Sequence, residues 1–281
     1  MKSLLALFLL LLGVDAFATD DPAALPEPRA YTYRVVGDDS LEAFVRFPAA
    51  RRDGTASNAI LLFHGGGWVA GSPEWVLSAA ERFASYGLVA IAIEYRLSSH
   101  DVTPIDALDD ACQAFAWARG NAKELGIGDK VAGYGVSAGG HLVAATATVG
   151  CAEANAKPDA MLLWSPAVDV NEDGWFSKIL QGRAKAIDLS PVDHVNSGTP
   201  PTCIVQGAED TLTPLAGAQR FHDRLVELGG VCELNVYAGV GHLLTRNLSN
   251  QEDDFDPDPK KRADGIERHR LFLQRTGFLP H

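Results

Sequence analysis

Ser137 lies in the run Gly135-Val136-Ser137-Ala138-Gly139, between an apolar stretch and a small-residue helical stretch. Glycines on both sides of the serine permit a sharp strand-to-helix turn with strained backbone at the serine itself. Such a turn lifts a hydroxyl out at the end of a sheet, where a base can reach it. A serine hydroxyl is a weak nucleophile at neutral pH and needs that base. The chemistry on offer is attack on a carbonyl carbon, provided the chain also supplies a base, an acid behind it and donors for the oxyanion.

Histidine suits the base because its titration lies near working pH. The chain has 8 histidines, so position must select among them. In a doubly wound sheet reactive groups gather at the carboxyl ends of the strands. His242 follows the last strand-like run, in Gly239-Val240-Gly241-His242. His141 sits four residues beyond Ser137 on the same helical stretch, which points it along that helix. His222 and His269 fall within helical runs, His281 is terminal, and His100 and His194 fall in loops that position alone does not exclude. His242 is the expected base. The acid that holds it is expected to be Asp210, in Gly207-Ala208-Glu209-Asp210-Thr211; Asp169 is the alternative, and Glu209 a weaker one. Serine, then acid, then histidine is the chain order that goes with a turn-borne serine of this kind.

The oxyanion needs preorganised donors. His64-Gly65-Gly66-Gly67-Trp68 follows an apolar strand-like run, and its glycines let backbone N–H groups approach a ligand. The N–H of Ala138 is a further donor. Phosphate binding is the other use of a glycine-rich loop, but no Gly-Lys-Ser/Thr follows it.

The elements that must position these groups alternate. Tyr31 to Val36 and Leu41 to Phe47 form a hairpin across Gly37-Asp38-Asp39. Apolar runs at Ala59 to Phe63, Leu88 to Ile93, Lys130 to Gly135, Ala160 to Leu163, Thr202 to Val205 and Cys232 to Tyr237 read as strands buried on both faces. Helical stretches separate them at Pro73 to Tyr86, Pro104 to Ala122, Ala138 to Val149 and Pro214 to Leu228, with Lys260 to Thr276 closing the chain. This predicts an α/β fold: a mostly parallel sheet of about eight strands with helices on both faces and an antiparallel edge. No linker divides residues 19–281, so one domain is expected. An insertion at 171–199 lacks strand character and reads as a cover or a functional segment. Gln251 to Pro259 is acidic and Pro-rich and reads as a solvated loop.

These motifs, in this order and spacing, resemble the α/β-hydrolase superfamily, most closely the small esterases related to hormone-sensitive lipase and to bacterial acetyl esterases, acetylxylan and feruloyl esterases among them. The resemblance covers roughly residues 30–280 and rests on His64 to Trp68, Tyr95-Arg96-Leu97, Gly135 to Gly140, the Asp210 loop and Gly241-His242. It implies an α/β-hydrolase fold, an acyl-enzyme on Ser137, oxyanion donors at Gly66, Gly67 and Ala138, and no cofactor; no metal is expected because no two cysteines sit at C-x-x-C spacing. It also implies structural roles for His64 and for Tyr95-Arg96. One departure is a short region before the first strand, where many lipase-like relatives carry a helical cap; this favours a small ester substrate in an open site. The expected reaction is hydrolysis of short-chain acyl esters, acetyl foremost, with polysaccharide or feruloyl esters suggested by relatives of this shape. Trp68, Trp75, Trp175 and Phe176 offer faces for a sugar or aromatic ring, with ordinary packing as the alternative. A small-amide hydrolase or peptidase is the rival within hydrolases. A non-catalytic binding protein on the same fold would be expected to lack one of the three reactive groups, and none is missing.

Composition narrows the partners. The chain has 281 residues, 47% of them apolar, and a formal net charge of −12, which repels phosphate and argues against nucleic acid or an anionic membrane. Lys2, the apolar run Leu4 to Val14 and Ala16-Phe17-Ala18 have the layout of a secretory signal over residues 1–18, too short for a permanent membrane anchor. A secreted or periplasmic protein is therefore expected. In an oxidising compartment Cys112, Cys151, Cys203 and Cys232 permit three pairings. Cys112–Cys151 and Cys203–Cys232 join segments expected to be neighbours; free buried thiols are the alternative.

Overall fold

The computed structural model describes residues 25–49, 56–153 and 155–280; the signal-like segment 1–18 and His281 lie outside them. Eight strands form one sheet in the order β1-β2-β4-β3-β5-β6-β7-β8. The hairpin β1 (Arg29–Val36) and β2 (Asp39–Arg46) is antiparallel, and β2 pairs antiparallel with β4 (Val89–Ile93). The rest is parallel: β3 (Ser57–Phe63) between β4 and β5 (Ile127–Val136), then β6 (Ala160–Trp164), β7 (Thr202–Gly207) and β8 (Cys232–Tyr237).

The apolar runs are continuous because both faces are covered. Along β3, Ala59, Leu61 and Phe63 enter one core and Ile60 and Leu62 the other, following the two-residue alternation of a strand. The first core is closed by α2 (Pro104–Gly120), α4 (Ala138–Thr148) and α6 (Leu215–Glu227) through Phe115, Leu142 and Phe221. The second is closed by α1 (Leu77–Ser85) and α7 (Pro259–Arg275) through Phe83 and Phe272. Truncating a fully buried side chain such as Phe115 to alanine costs about 3–5 kcal/mol in comparable cores. A short helix, α3 (Ala122–Leu125), ends at Gly126 and leads into β5.

Asp110 lies on α2 with its side chain fully buried, and its charge is matched by two arginines. Arg34 of β1 reaches its Oδ1 at 2.7 Å, and Arg96, just after β4, binds it through both its backbone N–H and its guanidinium at 2.9 Å. Removing both arginines would leave this buried charge uncompensated. Asp106, a turn earlier, instead closes a capping box with Thr103 at the start of α2.

Cys112 on α2 is bonded to Cys151, just beyond α4. Cys203 and Cys232 are free thiols, although their strands are neighbours. The register explains this: Cys232 stands opposite Thr202, and Cys203 opposite Glu233. A one-residue offset sends the two side chains to opposite faces of the sheet, Cys203 into the Phe272 core and Cys232 against the Phe221 core.

The 171–199 segment between β6 and β7 is ordered by α5 (Gly174–Ile179) and two 3-10 turns at Ala186–Leu189 and Pro191–His194. Phe176 and Leu180 are buried beneath it. Its far side is tied down where Gln181 donates to the Ser99 carbonyl at 2.6 Å and Arg183 to Asp106 at 2.7 Å.

Candidate active site

At the end of β5 the chain turns sharply into α4, and Ser137 occupies the turn with φ 52° and ψ −117°. A non-glycine residue held there is strained, and it persists because the turn is overdetermined on both sides. Ser137 N–H donates to the Trp164 carbonyl at 3.0 Å, and the Ser137 carbonyl accepts from His141 N–H at 3.1 Å and Ala167 N–H at 3.2 Å. Gly139 lets α4 pass close over β3: a Cβ there would overlap the Phe63 carbonyl. The helix that follows is buried along its whole length, so its positive N-terminal end points at the Ser137 hydroxyl from within the protein.

The Ser137 Oγ lies 3.0 Å from His242 Nε2, and His242 Nδ1 lies 2.9 Å from Asp210 Oδ2. A carboxylate can only accept, so Nδ1 carries the proton and Nε2 is left to accept from the serine hydroxyl. His242 is 3% exposed and Asp210 5%, so this line of hydrogen bonds is shielded from water except at the serine end. Asp210 is held from four directions. Its Oδ1 accepts from the backbone N–H groups of Leu212 at 3.0 Å and Thr213 at 2.9 Å. Its Oδ2 accepts from the Thr213 hydroxyl at 2.9 Å and the Gln206 amide at 3.0 Å.

The glycine loop beyond β3 presents its N–H groups through the planarity of the peptide unit, in which C=O and N–H point in opposite directions. The Gly65 carbonyl is held by His64 Nδ1 at 2.6 Å, which turns the Gly66 N–H the other way. The Gly66 carbonyl accepts from Val69 N–H at 3.1 Å and Ala70 N–H at 3.0 Å, which does the same for Gly67 N–H. Gly66 has φ 107°, and a Cβ there would overlap the Ala70 carbonyl, so no other residue closes this turn. Tyr95 stacks on the His64 ring at 4.3 Å and donates to the His64 carbonyl at 2.9 Å. Burial lowers the His64 pKa, keeping the ring neutral with Nδ1 as donor. Loop and serine turn are in contact, since a Cβ on Gly65 would stand 3.2 Å from Ser137 Cβ. As the first residue of α4, Ala138 has no N–H partner within its helix.

The remaining candidates separate. The Asp169 carboxylate pairs with Arg220 on α6 and not with His242. Glu209 accepts from Val240 N–H at 3.1 Å and so braces the histidine loop. His100 is exposed against Asp101, and His194 donates to or accepts from no catalytic group but meets the Ile187 carbonyl. His141 is buried, its Nε2 donating to the Leu189 carbonyl at 2.9 Å and its Nδ1 accepting from Trp68 Nε1 at 3.3 Å. Trp68 and Phe176, expected as substrate contacts, are 3% and 0% exposed and pack edge-to-face at 4.8 Å, so they are core. Trp175 is 46% exposed and donates from Nε1 to the Gly67 carbonyl at 3.2 Å. It alone of the three stands open beside the glycine loop.

Several residues that hold the site were not singled out from sequence. Gln251, in the acidic segment expected to be a solvated loop, is 5% exposed. Its Oε1 accepts from the backbone N–H of His242 at 2.8 Å and of Thr211 at 3.2 Å, and its Nε2 donates to the Glu209 carbonyl at 2.8 Å. It thereby pins the histidine loop to the acid loop. Ser165 accepts from Leu243 N–H at 3.1 Å through its Oγ, and its carbonyl lies 3.0 Å from the Thr213 hydroxyl oxygen. Leu243 and Leu244 have φ of 54° and 62°, a tight left-handed turn that these bonds sustain directly after His242. Nothing in the residue types at Ser165, Thr213 or Gln251 distinguishes them from ordinary loop polar groups.

A family model of the alpha/beta hydrolase fold matches residues 60–246. The chain is 44% identical over 95 residues to an arylesterase of Saccharolobus solfataricus, covering 33% of this chain and 30% of that one. It is 27% identical over 253 residues to the esterase LipC of Mycobacterium tuberculosis, covering 76% of this chain and 60% of that one. The chain thus spans less than two thirds of the length of these curated relatives. Among solved structures, native esterase 2 of Thermogutta terrifontis superposes with a TM-score of 0.79 at 29% identity, covering 91% of this chain and 94% of that chain. The same esterase with butyrate bound gives a TM-score of 0.81 at 29% identity, covering 91% and 96%. By its matched residues, its sheet and its esterase relatives, the chain belongs to the α/β-hydrolase fold family, in the hormone-sensitive-lipase-like branch.

Proposed function

We propose that this chain is an exported serine carboxylesterase that hydrolyses esters of short acyl groups, acetyl foremost, through an acyl-enzyme on Ser137. The observation that carries the reading is the 3.0 Å approach of the Ser137 hydroxyl to His242 Nε2, with His242 held by the buried Asp210. In the proposed reaction His242 takes the hydroxyl proton as Ser137 Oγ attacks the ester carbonyl. The N–H groups of Gly66, Gly67 and Ala138 receive the oxyanion. His242 then protonates the leaving alcohol, and in the second half activates water against the acyl-enzyme. A preorganised donor of this kind is worth about 3–4 kcal/mol of barrier in a comparable site.

The relatives support a small acyl group. Solved structures of the Thermogutta terrifontis esterase carry butyrate or propionate, and others are phosphonylated by sarin or phosphorylated by paraoxon. Export is supported by the signal-like layout of residues 1–18 and by the Cys112–Cys151 bond, which an oxidising compartment would preserve. A panel of p-nitrophenyl esters from acetyl to long acyl tests the reading. Turnover should be highest for the shortest chains and fall about 10⁴–10⁶-fold in Ser137→Ala. Normal turnover in that variant, or a preference for long-chain emulsions, would overturn it.

A further inference from the structure

Two consecutive side chains of α5 grip two consecutive residues of the glycine loop. Trp175 donates from Nε1 to the Gly67 carbonyl at 3.2 Å. Phe176 is fully buried and packs edge-to-face on the ring of Trp68 at 4.8 Å. The indole lies against the loop itself, since a Cβ on Gly67 would stand 3.5 Å from Trp175 Nε1. α5 is fixed at its start, where Asp173 Oδ1 accepts from Trp175 N–H at 2.8 Å and from Phe176 N–H at 3.1 Å. Phe176 also lies 5.0 Å from the ring of His141, so α5 rests on α4, the helix that leaves the serine turn.

The loop needs this hold. Trp68 has φ 64°, a left-handed conformation that a residue with a Cβ keeps only under constraint. Each of the three peptide units from Gly65 to Trp68 is fixed by its carbonyl. His64 holds that of Gly65, the N–H groups of Val69 and Ala70 hold that of Gly66, and Trp175 holds that of Gly67. The first two holds are made within the loop. The third comes from 108 residues further along the chain, and among the described residues no other donor reaches the Gly67 carbonyl. That carbonyl belongs to the same residue as one of the proposed oxyanion donors. It is a dipole of the wrong sign for an oxyanion, and while tied to Trp175 it does not turn into the site.

We propose that Trp175 is a positioning residue for the oxyanion hole. Its indole N–H, with Phe176 seated on Trp68, fixes the Gly67–Trp68 peptide and through it the N–H groups of Gly66 and Gly67. The insertion between β6 and β7 then serves the reaction as a clamp on the oxyanion loop. The proposal rests on the esterase reading above and adds to it what holds the donors in place.

Trp175→Phe keeps an aromatic face against the loop and removes only the N–H donor. Trp175 is 46% exposed, so the variant should fold, and water should replace part of the lost bond. kcat for p-nitrophenyl acetate is expected to fall about tenfold with KM nearly unchanged, less than the roughly 10²–10³ that follows removal of an oxyanion donor itself. A trifluoromethyl ketone gives the second readout. Ser137 Oγ adds to its carbonyl carbon, the carbonyl π electrons become an oxyanion, and the serine proton passes to His242 Nε2. Its inhibition constant should rise by the same factor as kcat/KM falls, since the charged adduct uses the donors as the transition state does. Asp173→Ala loosens the start of α5 without touching the loop and should move both quantities in the same direction by less.

A rise in KM with unchanged kcat in Trp175→Phe would make Trp175 a substrate face and overturn the proposal. A fall in kcat with an unmoved inhibition constant would also overturn it, because the effect would then lie outside the oxyanion hole. Kinetics unchanged in Trp175→Phe would overturn it as well while leaving the esterase reading intact. Wild-type protein inert toward p-nitrophenyl acetate would overturn the esterase reading, and the proposal with it.

Discussion

The side-chain oxygen of Gln251 accepts a hydrogen bond from the backbone N–H of His242 at 2.8 Å. Because the same side chain also holds Thr211 and Glu209, it sets the distance between the loop that carries the base and the loop that carries the acid. Gly241 is where this side chain passes the backbone, and a Cβ there would overlap the Gln251 amide.

Gln251 is therefore expected to act as a positioning residue. Gln251→Ala should lower kcat for p-nitrophenyl acetate about tenfold with KM nearly unchanged, since the groups it aligns act in the transition state. Gln251→Glu keeps the acceptor but adds a negative charge beside His242, which favours a protonated imidazole and moves the acid limb of the kcat/KM profile to higher pH. A loss explained wholly by fewer titratable active sites, with an unmoved profile in the glutamate variant, would reduce Gln251 to a structural role.

Gly66→Ala tests the oxyanion loop without touching the catalytic side chains. The new Cβ would collide with the Ala70 carbonyl, forcing the loop to shift. A donor displaced from the oxyanion position costs about 10²–10³-fold in kcat in a comparable site. Serine labelling by a phosphonate should persist at a reduced rate. Unchanged kcat would show that the Gly66–Gly67 turn does not serve the oxyanion.

The disulfide joins residues 39 apart in sequence. The chain-entropy account assigns a loop of that length about 4 kcal/mol, an upper figure if the unfolded chain keeps structure. Cys112→Ser/Cys151→Ser should lower Tm by several degrees, and Cys203→Ser should not disturb the bond. Thiol titration of the denatured, unreduced protein should count the 2 free thiols Cys203 and Cys232. A count of zero would show that these two are paired after all.

Stability should fall in mild acid because of two buried histidines away from the reaction. Burial lowers the pKa of His141 to about 4, partly offset by its bond to the Leu189 carbonyl. Burial, aided by the Arg82 charge, lowers that of His269 to about 3. Each is neutral in the folded protein, while the unfolded chain binds the proton near pH 6.5. Their contribution is complete above pH 6.5 and is lost as pH falls toward these lower values. Between pH 7 and pH 4.5 each should cost about 2 kcal/mol or slightly more of unfolding free energy. Urea unfolding at the two pH values measures this, and His269→Leu should flatten the slope. An equal slope in that variant would remove His269 from the account.

The alternation of strands and helices was legible because burial on both faces writes itself into continuous apolar runs, as in β3 and β4. The sequence pattern marks β5 only from Lys130, whereas the strand begins at Ile127; the run of Gly128, Asp129 and Lys130 carries no apolar pattern, and pairing with β3 alone extends it. Trp68 and Phe176 are not separable in the sequence from exposed faces, because an aromatic residue looks the same in a core as at a mouth. Their burial comes from α5 folding down over α4, a contact between segments far apart in the chain.

By itself the sequence determined the serine turn, the glycine loop and the order in which acid and histidine follow, because each depends on local backbone geometry that only certain residue types permit. Tertiary structure alone decided which carboxylate stands behind His242. Asp169 and Asp210 both follow strands, but Arg220 takes the first and the loop after β7 delivers the second. It also decided that Cys203 and Cys232 face apart and that Gln251 is buried under the catalytic loops. Each of these is a matter of register or of distant segments meeting, and such contacts leave no mark on the spacing of residues along the chain.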